Sequence, residues 1–152
     1  MIGLSHSVKP INGLKTYSQQ KGELQIFLQQ SNIIVCLLPL TPETNGILNL
    51  QLFEQLPKGA YLINVGRGQH LIEEDLAKAI ELGYLKGACL DVYQQEPLPK
   101  DHPFWRYPEI IMTPHIASIT DQERVGEQIV ENYCRLEEGL PLLHEVNRGK
   151  GY

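Results

Sequence analysis

The chain has 152 residues, 42% of them hydrophobic and 20% charged, which fits one compact domain with a sizeable core and leaves little room for two. A formal net charge of -5, with no cluster of Lys and Arg, excludes a nucleic-acid-binding surface. The longest apolar run, residues 33–38, is far too short to cross a bilayer, and the first ten residues lack the regions of a signal peptide. A cytoplasmic location with no membrane contact is therefore expected.

Residues 2–4 are too few to make a strand alone but read as the tail of one already begun. Residues 23–30 place Leu24, Phe27 and Leu28 on one face at i, i+3, i+4 spacing, which predicts a helix. The run IIVCLL at 33–38, closed by Pro39, is continuously apolar, as a strand buried on both faces of a parallel sheet is. Asn49 caps a predicted helix running to about Leu56, stopped by Pro57. GAYLINV at 59–65 is a second buried run and ends in Gly66-Arg67-Gly68. Residues 73–82 carry acidic groups in their first turn and a stripe of Leu76, Ala79 and Ile80, a helix that Gly83 ends. Residues 86–92 and 110–113 are two further strands. The last helix, from about Asp121 to Glu138, is expected to turn Val125, Ile129, Tyr133 and Leu136 inward.

Cys36, Cys89 and Cys134 lie on these elements among apolar neighbours, with spacings that suit neither a metal site nor a complete set of intrachain disulfides. All three are expected to be reduced and structural, and no metal ion is expected.

Buried strands alternating with helices across short loops argue an α/β fold: a parallel Rossmann-type sheet with helices on both faces. Ligands of such sheets sit beyond the carboxyl ends of the strands, so the polar residues just after strands deserve scrutiny. Arg67 stands there, and its guanidinium offers a rigid donor fork for a carboxylate. Glu96 and His115 follow the next two strands. A carboxylate beside an imidazole favours the charged ring, which then donates a proton. Arg, Glu and His at three successive strand ends suit reduction of a 2-keto acid. From spacing alone, however, Arg67 reads equally as a surface residue, Glu96 as a loop carboxylate and His115 as a cap before the last helix.

The stretches LLPLTPETNGILN, LPKGAYLINVGRG, GACLDVYQQEPLP and IIMTPHIASIT, in unbroken order along nearly the whole chain, resemble the D-isomer-specific 2-hydroxyacid dehydrogenase family. HPFW at 102–105 and the ending NRGKGY at 147–152 are similar to its glyoxylate- and hydroxypyruvate-reducing branch, and suggest a natural C-terminus. The resemblance implies that Arg67 binds the substrate's carboxylate and carbonyl oxygen. It implies that His115 is the acid/base at the C2 oxygen and that Glu96 orients and charges the histidine. It also implies a nicotinamide cofactor: Asp91 near the carboxamide, Ala117 and Ser118 near the ring, Pro39 by the adenosine, and Thr44, Val65, Gly66 and Arg67 lining the cleft. At the end of the first strand, Ser5, His6 and Ser7 resemble the Ser-Arg-Ser/Thr run that receives a 2'-phosphate. NADP is thus favoured over NAD, although His6 stands where an Arg is expected. Pro39 and Asp91 also read as simple turn residues, and Ser5 to Lys9 as a polar loop.

Family members are about twice this length, with two domains of ordinary size. The chain is therefore expected to be an incomplete dinucleotide-binding domain, lacking the first strand, the glycine-rich turn and its helix. From residue 121 it would contact an absent substrate domain. In strand order 3-2-1-4-5-6 the lost strand would leave open edges, one of them expected on the strand at 60–65. An ordered chain is expected to close that gap through another chain, through a shift of residues 2–4 beside 60–65, or through an N-terminal half. A homodimer is the other expected assembly. The expected function is NAD(P)H-dependent reduction of a small 2-keto acid within a larger enzyme, the isolated chain being inactive. The alternative is a non-catalytic remnant or protein-binding module of the same fold.

Overall fold

The structure is a computed structural model and describes residues 1–7, 10–146 and 149. Val8 and Lys9 of the first loop, and Asn147, Arg148 and 150–152 of the ending, lie outside the described residues. Strand β1 (Ile2–Ser5) pairs in parallel with β2 (Lys15–Ser18), Ile2 opposite Lys15 and Ser5 opposite Ser18. Helix α1 (Leu24–Gln29) packs on this pair and buries Leu28. A second sheet then follows the order β3 (Ile33–Cys36), β4 (Ala60–Asn64), β5 (Leu85–Leu90), β6 (Ile110–Met112), all parallel. The connections carry α2 (Leu50–Phe53) and α3 (Glu73–Glu81), and the chain continues into α4 (Gln122–Glu137).

The local chemistry explains these boundaries. Asn49 Oδ1 accepts from Leu52 N at 3.0 Å, a side-chain cap on a free amide of α2. Leu50 N donates to Asp75 Oδ2 at 3.0 Å, so the first turn of α3 also holds the start of α2. Gly83 turns the chain out of α3 at φ 73°, a left-handed conformation that glycine adopts without strain. One face of the four-stranded sheet closes the core: Leu52, Phe53, Leu56, Leu71, Leu76 and Ala79 pack over Ala60, Leu62, Leu85, Ala88 and Leu90.

Parallel strands and their helices are as the pattern indicates, but several expectations change. The strand β2 escaped notice, because KTYS has no apolar run to signal it. With β2 beside β1, residues 33–36 open the second half of the fold. The gap therefore falls between β1 and β3 and not along β4, whose side away from β5 pairs with β3 from Ile33–Tyr61 to Cys36–Asn64. Nothing in the described residues closes it: β1 pairs with β2 alone and β3 with β4 alone.

The second face of the larger sheet is bare, with Ile33, Val35, Tyr61 and Ile111 exposed, so apolar runs expected to be covered on both sides are covered on one. Finally, α4 does not turn its apolar stripe inward. Val125, Ile129, Tyr133 and Leu136 are exposed, and with them Cys134, which is therefore not the buried structural cysteine expected. No other element of the described chain packs against that helix closely enough to cover it.

Candidate active site

Because the strands run parallel, the loops that leave their carboxyl ends lie on one side. Asp91 follows β5 and organises the loop after β6. Its backbone carbonyl accepts from His115 N at 2.9 Å. Its carboxylate accepts from Thr113 Oγ1 and from Ile116 N on Oδ1, and from Ala117 N at 2.9 Å on Oδ2. Burial pushes this carboxyl up, but the donors of Thr113, Ala117 and Ile116 outweigh it and hold the group below its ordinary value. His115 sits at φ 56°, a left-handed conformation unfavourable for a residue with a side chain, and the ties to Asp91 fix it there.

His115 Nδ1 lies 2.8 Å from Glu96 Oε2, while Glu96 Oε1 accepts from Tyr93 N at 3.0 Å. The Tyr93 N–H first, and then His115, hold the Glu96 carboxyl below the ordinary carboxylate range, against a smaller effect of burial. Since the carboxylate only accepts, Nδ1 is the protonated nitrogen, and Nε2 has no hydrogen-bond partner among the described residues. The pair opens on a cleft of about 640 Å³ lined by Tyr93, Leu98, Trp105, Met112 and Pro114.

Arg67 leaves β4 on a loop shaped by its two glycines. Asn64, fully buried, accepts from Gly66 N through Oδ1 and donates through Nδ2 to Arg67 O, both at 3.2 Å. A Cβ on Gly68 would fall 1.9 Å from the carbonyl of Tyr93, so glycine is required where this loop lies on the segment leading to Glu96. The two loops are thus packed together. Arg67 is exposed, its Nη1 donates to Gly66 O at 2.7 Å, and it forms no hydrogen bond or ion pair with Glu96 or His115.

After β3, Thr44 Oγ1 donates to Pro39 O at 2.7 Å and accepts from Thr41 N at 2.8 Å, closing the turn. Val65 N donates to Cys36 O at 3.3 Å, alongside. At the end of β1, Ser5 Oγ donates to Ser7 O at 2.6 Å. His6 O accepts from Ser18 Oγ and from Gln20 N, both at 3.1 Å, and its ring is exposed. Ser118 is exposed beyond Ala117.

The structure therefore unites Glu96 and His115 and braces the histidine loop on Asp91, with both Asp91 oxygens engaged. Sequence reasoning passed over Asn64, His70, Tyr93 and Thr113. The available signals were Asn64 ending an otherwise apolar strand and His70 two residues beyond the Gly66-Arg67-Gly68 turn.

Residues 1–117 match the model of the D-isomer specific 2-hydroxyacid dehydrogenase NAD binding domain. Glyoxylate/hydroxypyruvate reductase A of Salmonella heidelberg is 45% identical over 148 residues, which are 97% of this chain and 47% of that protein. The chain spans about half the length of the curated relatives it matches. A D-isomer specific 2-hydroxyacid dehydrogenase from Xanthobacter autotrophicus, solved with NADPH and MES, superimposes with a TM-score of 0.93 at 40% identity, over 99% of this chain and 62% of that one. An NADPH-dependent glyoxylate/hydroxypyruvate reductase from Sinorhizobium meliloti, solved with NADP and sulfate, gives 0.91 at 38% identity, over 99% and 49%. The chain belongs to the D-isomer-specific 2-hydroxyacid dehydrogenase family, and its first 117 residues correspond to the NAD-binding domain.

Proposed function

We propose that the chain is the nucleotide-binding and proton-donating half of an NADPH-dependent reductase of small 2-keto acids such as glyoxylate and hydroxypyruvate. The observation that carries this reading is the Glu96–His115 pair, at 2.8 Å, with the far ring nitrogen unpartnered at the cleft. Ser5, His6 and Ser7 offer hydroxyl and imidazole donors beyond β1, suited to a ribose phosphate. Pro39 and Thr44 form the rim beyond β3, and Val65, Gly66 and Arg67 the rim beyond β4. Asp91, Ala117 and Ser118 are read as the residues near the nicotinamide. Bound there, NADPH supplies a hydride.

In this reading the exposed Arg67 fork takes the substrate's carboxylate and polarises the carbonyl. His115 Nε2 delivers the proton to the C2 oxygen. Glu96 fixes the ring's orientation and stabilises its charged form. Asp91 holds the loop that carries the histidine. The reverse reaction, oxidation of a 2-hydroxy acid, uses the same groups with His115 as base.

The alternative reading is a non-catalytic remnant or protein-binding module of the same fold. The two readings part on one experiment: NADPH consumption with glyoxylate or hydroxypyruvate, by the 152-residue chain alone and after joining to the amino-terminal half of a relative. The enzyme reading expects no turnover by the isolated chain. It expects turnover on the order of 1 per second in the joined protein, abolished by His115→Ala. A joined protein that binds NADPH but never reduces either acid would overturn it.

A further inference from the structure

His70 is completely buried and lies in neither the Glu96–His115 pair nor the cleft beside it, yet its ring meets the backbone of Arg67 in the loop after β4 and of Pro39 in the loop after β3. Its Nδ1 is 3.1 Å from Arg67 N, and its Nε2 is 3.3 Å from Pro39 O. An N–H can only donate and a carbonyl can only accept, so the two neighbours fix the ring as the neutral tautomer with its proton on Nε2. The Cys36 thiol, 3.6 Å from Nδ1, is a weak donor toward the same lone pair. Gly66 makes the approach possible, since a Cβ there would sit 2.9 Å from Nδ1.

We propose that His70 is a positioning residue for Arg67: its ring fixes the arginine's backbone and ties it to the Pro39–Thr44 turn. This rests on Arg67 being the group that meets the substrate carboxylate. The rest of the local hydrogen bonding points the same way. His70 N and Asn64 Nδ2 both donate to Arg67 O, at 3.1 and 3.2 Å, so the peptide groups on either side of Arg67 are held while its exposed guanidinium makes one hydrogen bond, from Nη1 to Gly66 O. Pro39 O accepts at once from His70 and from Thr44 Oγ1, so one carbonyl joins the loop after β3 to the loop after β4. Any buried imidazole needs partners at its ring nitrogens, so what singles this one out is where those partners lie. This one meets a donor at one nitrogen and an acceptor at the other, and both partners belong to loops at the cofactor and substrate rim.

Three substitutions separate the two contacts. His70→Asn keeps an acceptor near the position of Nδ1, His70→Gln reaches toward Pro39 O, and His70→Leu keeps bulk without either. Nitrogen NMR of the 152-residue chain should find the His70 proton on Nε2. Hydrogen exchange at the Arg67 amide, measured relative to strand amides such as Leu62 to remove global stability, should quicken in the Leu and Gln variants. The expected change is about tenfold, the loss of one net hydrogen bond, with a rate near wild type for Asn. In the joined protein assayed above, the Leu variant should raise KM for the keto acid more than KM for NADPH, and Asn should restore it. A proton on Nδ1, or equal relative exchange in wild type, Asn and Gln, overturns the proposal even if the Leu variant fails to fold. A wild-type joined protein without activity would count against the reading of Arg67, and the exchange rates would still decide whether His70 anchors it.

Discussion

Glu96 and His115 are joined through Oε2 and Nδ1 at 2.8 Å, but the carboxylate is held at its other oxygen by the Tyr93 amide at 3.0 Å. The amide has the larger effect on its titration, the imidazole the next. Substituting His115→Ala should therefore raise the Glu96 pKa only part of the way back, because Tyr93 N–H remains. The reverse change, Glu96→Gln, keeps an oxygen that accepts from Nδ1–H and removes the carboxylate's charge. Carbon NMR titration of the Glu96 carboxyl in the two histidine backgrounds checks the first statement. A return to the full ordinary value in the alanine variant would show that the amide does little.

Asp91 gives a pH dependence of known sign. Its folded-state pKa lies below the ordinary aspartate value of about 3.9, so its ionised form stabilises the fold fully above that value. The contribution is lost as pH falls from there through the lower folded pKa. The part lost first should be the loop at 113–117, whose amides it holds. Asp91→Asn removes one acceptor oxygen and the charge, and should flatten the acid limb of the stability profile while loosening that loop at neutral pH. Thermal melts from pH 7 to pH 3 compare the two. Parallel acid limbs would mean that another carboxylate governs acid unfolding.

The strands at 33–36, 60–64, 85–90 and 110–112 were legible because a predominantly apolar run bounded by Pro or Gly has few other uses. KTYS was not, since its stability comes from pairing with β1 and from Tyr17, buried against α1, and neither partner is visible in a four-residue window. Missing it displaced the gap by one strand. The apolar stripe of α4 was legible as a pattern, but a pattern says that a face is apolar and not that the same chain covers it. Arg67, Glu96 and His115 stood out by their places after strands. The groups that set them, His70, Asn64 and Tyr93, did not, because a buried polar residue betrays its role only through partners distant in sequence.

Gly68→Ala should be among the most damaging small substitutions. The new methyl would lie 1.9 Å from the Tyr93 carbonyl and 2.5 Å from Gln94 N, both backbone atoms that cannot swing aside. Relief requires the loop bearing Arg67 to part from the loop bearing Glu96. Overpacking of this kind costs about 1–3 kcal/mol or more. The melting temperature of the alanine variant measures the cost. Gly126→Ala, in an open position on α4, serves as the control and should leave the melting temperature unchanged or raise it.

The bare strand β3 has a consequence for association. Its edge away from β4 is unpaired among the described residues, and its uncovered face shows Ile33 at 58% and Val35 at 48% exposure. An apolar strand with free amides and carbonyls is a template for a second strand. The 152-residue chain should therefore self-associate, more strongly at higher concentration. Lysines at both positions, Ile33→Lys with Val35→Lys, would place charge on the edge and shift the chain toward monomer. Their effect on stability should stay near about 0.5 kcal/mol, because neither side chain is in the core. The exposed stripe of α4 is a competing source of association, so Ile129→Lys with Tyr133→Lys is the necessary comparison. Sedimentation velocity over a concentration series separates the cases. Association abolished by the strand pair and retained by the helix pair assigns it to β3, the opposite result assigns it to α4, and a wild-type chain that stays monomeric throughout would show that the open edge is protected in a way the fold does not reveal.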